Sequence, residues 1–432
     1  MAEPEISEQM REDWDRRARE NAAYYVAFGG RCQSTEEFFA TAAPVLTTLR
    51  SEFRRFPSAP QTLSALEIGC GPGRLLVPLS RDFGRITGVD VSPEMIRLAR
   101  RNIEGIPNAA AELVSGCDLS GITDESFDFC YSYAVFQHIP RRSVVLSYLS
   151  EARRVLKTSG LLKCQFNGLS EGKQRPADTW SGVRFDAEEL RAYCQERDLQ
   201  LLSLDGANTP DLWICARKRP WGWTRSLAPQ DGVHLVEVGN TYTGDRLVPV
   251  SGRFSAVSLW VKNLSPDADI NNLEIEIDGC KALPCYVSED LGRAPLQINA
   301  FLPAGVPTGL VQVRLWMLGR PVSNVARLRL IPPPPRRPRL FGVTDATELL
   351  SAFRIETRAI KVEVEEAGPS PEIAADIDGV PAQDIQIRCV NPLSEHYAII
   401  IKTPSQIGPG QHALTLRLHG RILPPVSIEV AR

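Results

Sequence analysis

Two rhythms of apolar and polar positions run along this chain of 432 residues. Up to Lys218, segments with apolar residues three and four apart alternate with short runs rich in Val, Ile and Leu. The first pattern predicts amphipathic helices and the second buried strands, and their alternation marks βαβ units around a parallel sheet. Helices are expected over Ser7–Tyr25, Thr35–Phe53, Arg74–Leu79, Pro93–Arg101, Arg142–Leu156 and Asp186–Glu196. Strands are expected at Ala65–Ile68, Arg85–Val89, Ala111–Val114, Phe127–Ser132, Leu161–Phe166, Gln200–Leu204 and Leu212–Ala216.

After Pro220 the helical pattern gives way to strict alternation, as in SLWVKNL, NLEIEID, LVQVRLW, IKVEVEE and ALTLRLHG. Short strands separated by Gly and Pro turns predict β-sandwich modules. The run IPPPPRRPR, from Ile331 to Arg339, divides this half and favours an extended, stiff linker. Its two parts look like copies of one another. Ile277-Asp278-Gly279 recurs as Ile377-Asp378-Gly379, and the stretch from Gly309 to Arg320 is echoed from Gly410 to Arg421. Landmarks in the same order at one offset point to a tandem duplication. The expected organisation is therefore an α/β domain over 1–220, a first sandwich over 228–332 and a second over 337–432.

Composition narrows the partners. The chain is 43% hydrophobic and 23% charged with a formal net charge of −3, so no basic field argues for nucleic acid or an anionic membrane. No run of 18 apolar residues predicts a membrane span, and the polar, acidic start lacks the apolar core of a signal peptide. A cytoplasmic location is expected. The 10 cysteines form no CxxC pair, so no metal site is expected, and Cys280 and Cys285 read as free thiols ahead of the alternative, a local disulfide.

The chemistry gathers at ALEIGCGPGR, where a strand runs into Gly69, Gly71 and Gly73. Three such residues after a strand and before a helix let a ligand approach the backbone closely. Arg74 fills the place of the third glycine of a dinucleotide fingerprint, and no Gly-Lys-Ser/Thr follows as a P-loop requires. Asp90, in GVDVSPEMI, falls at the end of the second strand, where a carboxylate can accept from both ribose hydroxyls. Asp118, in GCDL, follows the third strand and can accept from an adenine amino group. FDFCYSYAVFQHIP then opens from the fourth strand into a loop.

Taken in order, ALEIGCGPGR, GVDVSPEMIRLA, GCDL, FDFCYSYAVFQHIP and EARRVLKTSGLL resemble the successive motifs of class I S-adenosylmethionine (SAM)-dependent methyltransferases, over residues 10–218. The resemblance implies an α/β, Rossmann-like sheet of seven strands, the last antiparallel and supplied by DLWICARK. It implies SAM as cofactor, with Glu67, Gly69, Gly71 and Gly73 along its methionine part, Asp90 on the ribose, and Val91 and Met95 against the adenine. Asp118 and the backbone of Leu119 would read the adenine edge, Ser132 would touch the cofactor after the fourth strand, and Cys70 would fill the pocket wall.

Methyl transfer from a sulfonium needs alignment of the acceptor and exclusion of water, and a general base only for a weakly acidic acceptor. His138, the one histidine before residue 220, is the candidate base; its other reading is a loop histidine that ties down a helix start. Tyr24 or Tyr25 on the first helix, and Trp180 after the fifth strand, are candidates for the sulfonium and acceptor wall. A small molecule, a lipid head group or a glycan is the expected acceptor. The paired sandwiches resemble immunoglobulin-like modules of the IPT/TIG type and are expected to bind a partner or a glycan, or to self-associate. The contrasting class is a binding protein whose methyltransferase fold is only a scaffold.

Overall fold

The computed structural model describes residues 3–27, 33–169, 177–289, 295–346, 353–368, 371–391 and 394–431. The chain divides into two compact units, the first comprising residues 1–22, 36–250 and 256–331, the second 23–35, 251–255 and 332–432.

In the first unit the expected helices form, with shifted ends. α1 covers Glu3–Ala27 and is broken at Asn21, whose backbone (φ −168°, ψ 86°) is extended. The single helix expected over Thr35–Phe53 is two, α2 (Thr35–Ala40) and α3 (Ala43–Arg50). α4 (Leu76–Leu79) starts two residues late because the glycine loop keeps turning through Arg74. α5 (Pro93–Asn102), α6 (Arg142–Val155) and α7 (Ala187–Glu196) lie where the periodicity placed them. Pro93 at the first turn and the Ser92 cap, which accepts from the Met95 amide, set the start of α5.

The strands β1 (Ser64–Ile68), β2 (Arg85–Asp90), β3 (Ala109–Leu113), β4 (Phe127–Ser132), β5 (Leu156–Phe166), β6 (Leu199–Asp205) and β7 (Leu212–Lys218) assemble in the order β3-β2-β1-β4-β5-β7-β6. Pairings among β1 to β5 are parallel, and β7 is antiparallel to both β5 and β6. Alternate residues feed separate cores: Leu66, Ile68 and Cys130 join one cluster, Ala65, Phe129 and Tyr131 the other. The order reverses between β1 and β4, so their carboxyl ends open a crevice, the usual place for a ligand in such a sheet.

This sheet does not stop at β6. The first β-rich copy supplies β8 (His234–Asn240), β9 (Leu247–Pro249), β10 (Ala256–Lys262), β11 (Leu273–Ile277), β12 (Cys280–Ala282), β13 (Pro284–Val287), β14 (Leu296–Phe301), β15 (Gly309–Met317), β16 (Arg320–Pro321) and β17 (Ala326–Ile331). β13 pairs antiparallel with β6 through Tyr286 and Ser203, which extends the sheet to 11 strands by β13-β14-β10-β8. A second sheet, β12-β11-β15-β17-β9 with β16 on β15, encloses a core continuous with that of the α/β half. The Leu201 amide donates to Asp269, Arg191 donates to the Ile270 and Pro284 carbonyls, and Arg55 donates to the Val287 carbonyl.

A buried ionic cluster reinforces this join. Glu52 accepts from Arg55 at 2.6 Å and from Lys163 at 2.7 Å, and these two cations hold its carboxyl down at about 2 against burial, the largest influence, which raises it. Arg217 pairs with Glu289.

In the second unit β18 (Arg339–Asp345), β19 (Arg354–Ile355), β20 (Ala359–Glu365), β21 (Ile373–Ile377), β22 (Val380–Pro381), β23 (Gln383–Asn391), β24 (His396–Lys402), β25 (Gly410–Leu418), β26 (Arg421–Ile422) and β27 (Val426–Val430) build sheets β18-β20-β24-β23 and β19-β27-β25-β21-β22, with β26 on β25. Strand for strand this is the arrangement of β8 to β17, down to the parallel pairs β9/β17 and β19/β27. The repeated IDG turns match in backbone too: Asp278 and Asp378 both have φ 50°.

Candidate active site

The glycine loop lies at the mouth of the crevice. Gly69, Gly71 and Gly73 have φ of +74°, +51° and +89°, the left-handed region that side chains resist. A Cβ on Gly69 would stand 2.2 Å from Cγ2 of Val135, so this backbone packs where no side chain fits. The Gly69 and Cys70 amides donate to the Val89 carbonyl, tying the loop to the end of β2. Cys70 is buried, its thiol pushed up chiefly by burial, which suits a wall and not a nucleophile.

Asp90 closes the same loop. Its Oδ2 accepts from the Gly71 amide and its Oδ1 from the Ser92 amide, both at 2.9 Å. Each oxygen keeps a further acceptor position, which fits a vicinal diol. Burial raises its proton affinity and the backbone donors lower it. One residue inside β1, Glu67 is buried and accepts from the Tyr131 hydroxyl at 3.0 Å. Burial pushes its carboxyl up to about 8, so it is largely protonated at pH 7. Ser132 donates to the Ile68 carbonyl at 3.0 Å. Met95 is buried and Val91 half-buried at the start of α5.

Asp118 accepts from Ser115 Oγ at 2.8 Å and from the Ser120 amide, and the hydroxyl of Ser115 holds it below the usual carboxylate range. The amide of Leu119, whose backbone was expected beside the adenine edge, donates to Glu151 Oε2 at 3.1 Å. Glu151 is fixed in turn by Arg154.

His138 is buried between two tryptophans. Trp14 meets it edge-on at 5.3 Å and Trp180 is tilted at 5.5 Å. Its Nδ1 lies 2.7 Å from the Trp180 carbonyl, which fixes Nδ1–H as donor and leaves Nε2 as the acceptor, 3.3 Å from Gln137 Nε2. Burial, above all, holds the imidazole down at about 4, so it is neutral at pH 7. Trp180 keeps 38% of its surface exposed and carries Arg17 over its ring at 5.3 Å. Tyr25 meets Tyr24 edge-on at 5.2 Å and falls in the segment 23–35 of the second unit.

Several residues of the site were not read from the sequence. Asp15, on α1, accepts from Ser92 Oγ and from the Glu94 amide, each at 2.8 Å. Arg74 is buried beside Tyr133, its guanidinium 5.4 Å from the ring and donating to the Thr41 carbonyl. Gln165 fixes the loop after β4 by accepting from the Ala134 amide. Asp15 and Gln165 lie outside the motifs read from the sequence, and Arg74 ends the glycine motif without a role having been read for its side chain. Among the described residues no group of three or more metal-ligating side chains is assembled.

A three-glycine cradle, a carboxylate anchored beside it and a helix start capped by Ser92 fit SAM, which carries a zwitterionic tail and a ribose diol. Comparison with known proteins gives the same class. Residues 66–164 match the family described as a methyltransferase domain. Over 125 residues the chain is 35% identical to the ubiquinone biosynthesis O-methyltransferase of Cereibacter sphaeroides, covering 27% of this chain and 47% of that protein. It is 32% identical over 103 residues to the demethylmenaquinone methyltransferase of Tropheryma whipplei, 24% of this chain and 41% of that one. The chain thus spans less than half the length of these relatives. Among solved structures, phosphoethanolamine N-methyltransferase 1 of Haemonchus contortus shares 15% identity at a TM-score of 0.39, covering 51% of this chain and 50% of that one. The α/β half therefore carries a methyltransferase domain of the SAM-dependent type. Among the described residues no helix is long and apolar enough to cross a membrane.

Proposed function

We propose that the chain transfers a methyl group from SAM to a small-molecule, lipid or glycan acceptor, and that its two sandwiches bind a partner or substrate. The observation that carries this reading is Asp90, both of whose oxygens are oriented by backbone amides beside three left-handed glycines. The named quinone methyltransferases among the relatives favour a small acceptor.

SAM supplies, when bound, an electrophilic methyl on a sulfonium with a neutral leaving group. The chain's own residues position it. Asp90 takes the ribose hydroxyls, Val91 and Met95 flank the adenine, and Asp118 accepts from its amino group. Glu67, Cys70 and the glycines line the amino-acid tail, with Ser132 at the end of β4. Trp180 contacts the acceptor. A neutral His138 has the acceptor atom a general base needs, and its burial between two rings equally supports a role in anchoring α1.

The matched strand orders support two tandem immunoglobulin-like sandwiches, 228–332 and 337–432, after a methyltransferase domain at 1–220. Nine described cysteines, all free, support a reducing, cytoplasmic setting.

The test is transfer of labelled methyl from SAM to a panel of phenolic, lipid and glycan acceptors. Acceptor-dependent release of S-adenosylhomocysteine (SAH), abolished in Asp90→Ala, supports the reading. SAM bound without turnover on any acceptor would favour the scaffold.

A further inference from the structure

One turn of α1 grips both walls of the crevice. On the ribose side Asp15 Oδ1 accepts from the Ser92 hydroxyl and the Glu94 amide, both at 2.8 Å. On the acceptor side Arg17 donates to the Thr179 carbonyl at 3.1 Å and to its hydroxyl at 3.0 Å, and Thr179 donates to Asp13 at 2.6 Å. Ile6 and Met10 seat the helix in the main core.

The ribose-side contact continues inward. The Ser92 hydroxyl has one proton, which it gives to Asp15, and it accepts from the Met95 amide at 3.1 Å. The Ser92 amide goes to Asp90 Oδ1. A single serine therefore joins the carboxylate of α1 to the carboxylate read as the ribose acceptor. Asp15 is only 8% exposed, although a second carboxylate so near Asp90 works against Asp90's own charge. A cap alone does not need this arrangement, since Ser92 already serves α5.

We propose that Asp15 is a positioning residue for the cofactor: through Ser92 it fixes the loop that presents Asp90, so that ribose binding depends on α1 being in place. The proposal rests on the methyltransferase reading above. Arg17 holds the opposite wall, so the two ends of this turn separate cofactor binding from acceptor binding.

The test is calorimetric titration of the full chain with SAH, in wild type, Asp15→Ala, Asp15→Asn, Ser92→Ala and Arg17→Ala. Loss of two hydrogen bonds to a charged acceptor is expected to weaken SAH by about tenfold or more in Asp15→Ala. Asp15→Asn keeps an oxygen acceptor and is expected within about threefold of wild type, and Arg17→Ala within about twofold. Ser92→Ala breaks the same link from the other side and stands in if Asp15→Ala does not fold; it is expected to weaken SAH comparably. Wild-type affinity in Asp15→Ala or, in its place, in Ser92→Ala would overturn the proposal. So would an equal loss in Arg17→Ala, which would mean that any loosening of α1 suffices. Absence of SAH binding in the wild type would overturn the methyltransferase reading, and this inference with it.

Discussion

The two β-rich copies carry the same ten strands in the same order, yet one is built into the sheet of the α/β half and the other keeps a core of its own. The difference lies at one edge strand. In the first copy β13 accepts β6, Val287 is 3% exposed, and the Val287 carbonyl takes a hydrogen bond from Arg55. In the second copy Ile387 occupies the equivalent place on β23 and is 43% exposed, and β23 pairs only with β24 among the described residues. Two β-bulges interrupt β23, a common way to discourage further pairing. A sandwich's own alternation thus sets its topology, whereas a few side chains on one edge decide whether it joins a neighbour.

The severest way to break this contrast is deletion. Removing 228–432 is expected to abolish folded protein, because it uncovers the edge of β6 that β13 pairs with, takes the Val287 carbonyl from Arg55 and Glu289 from Arg217, and opens the shared core; removing 337–432 is expected to leave a chain that still melts cooperatively. Circular dichroism of both truncations checks this.

A smaller effect is expected from Lys163→Met. Glu52 would then lie buried with one cation fewer, at a cost of about 3–5 kcal/mol in denaturant unfolding. In the wild type the folded carboxyl of Glu52 sits at about 2, below its unfolded value, so its contribution is full above the unfolded value and fades as pH falls toward 2.

Matched substitutions sharpen the comparison further. Val287→Ala is expected to cost about 2 kcal/mol and Ile387→Ala less than about 1 kcal/mol, although the larger side chain is removed from the second copy. Equal costs would mean that the edges are equally packed.

The last effect is graded with pH. The Glu67 carboxyl is raised to about 8 when folded, so the native state holds a proton that the unfolded chain has lost. Stability of the cofactor-free protein should therefore fall between about pH 5 and pH 8, by at most about 1.4 kcal/mol per pH unit from this group. Glu67→Gln should flatten that slope in thermal melts.

Much of this was legible in the sequence for a local reason. The seven strands, the glycine cradle and Asp90 each depend on neighbours in the chain: period, turn chemistry, a residue at a strand's end. The duplication was legible too, because IDG and the Gly-to-Arg stretches encode turns. The join of β6 to β13 was not, since the only register pair between them, Tyr286 with Ser203, has no signature in either strand. The Asp15–Ser92 link was missed because it is a tertiary relation between segments that look ordinary alone. The contact of the Leu119 amide was missed for the same reason: Glu151, 32 residues on, takes its hydrogen bond.

The most direct measurement is calorimetric titration of the wild-type chain and Asp90→Ala with SAH. Micromolar binding by the wild type that Asp90→Ala loses by about a hundredfold or more is the predicted result. No binding by the wild type, or undiminished binding by the variant, would contradict the site described here.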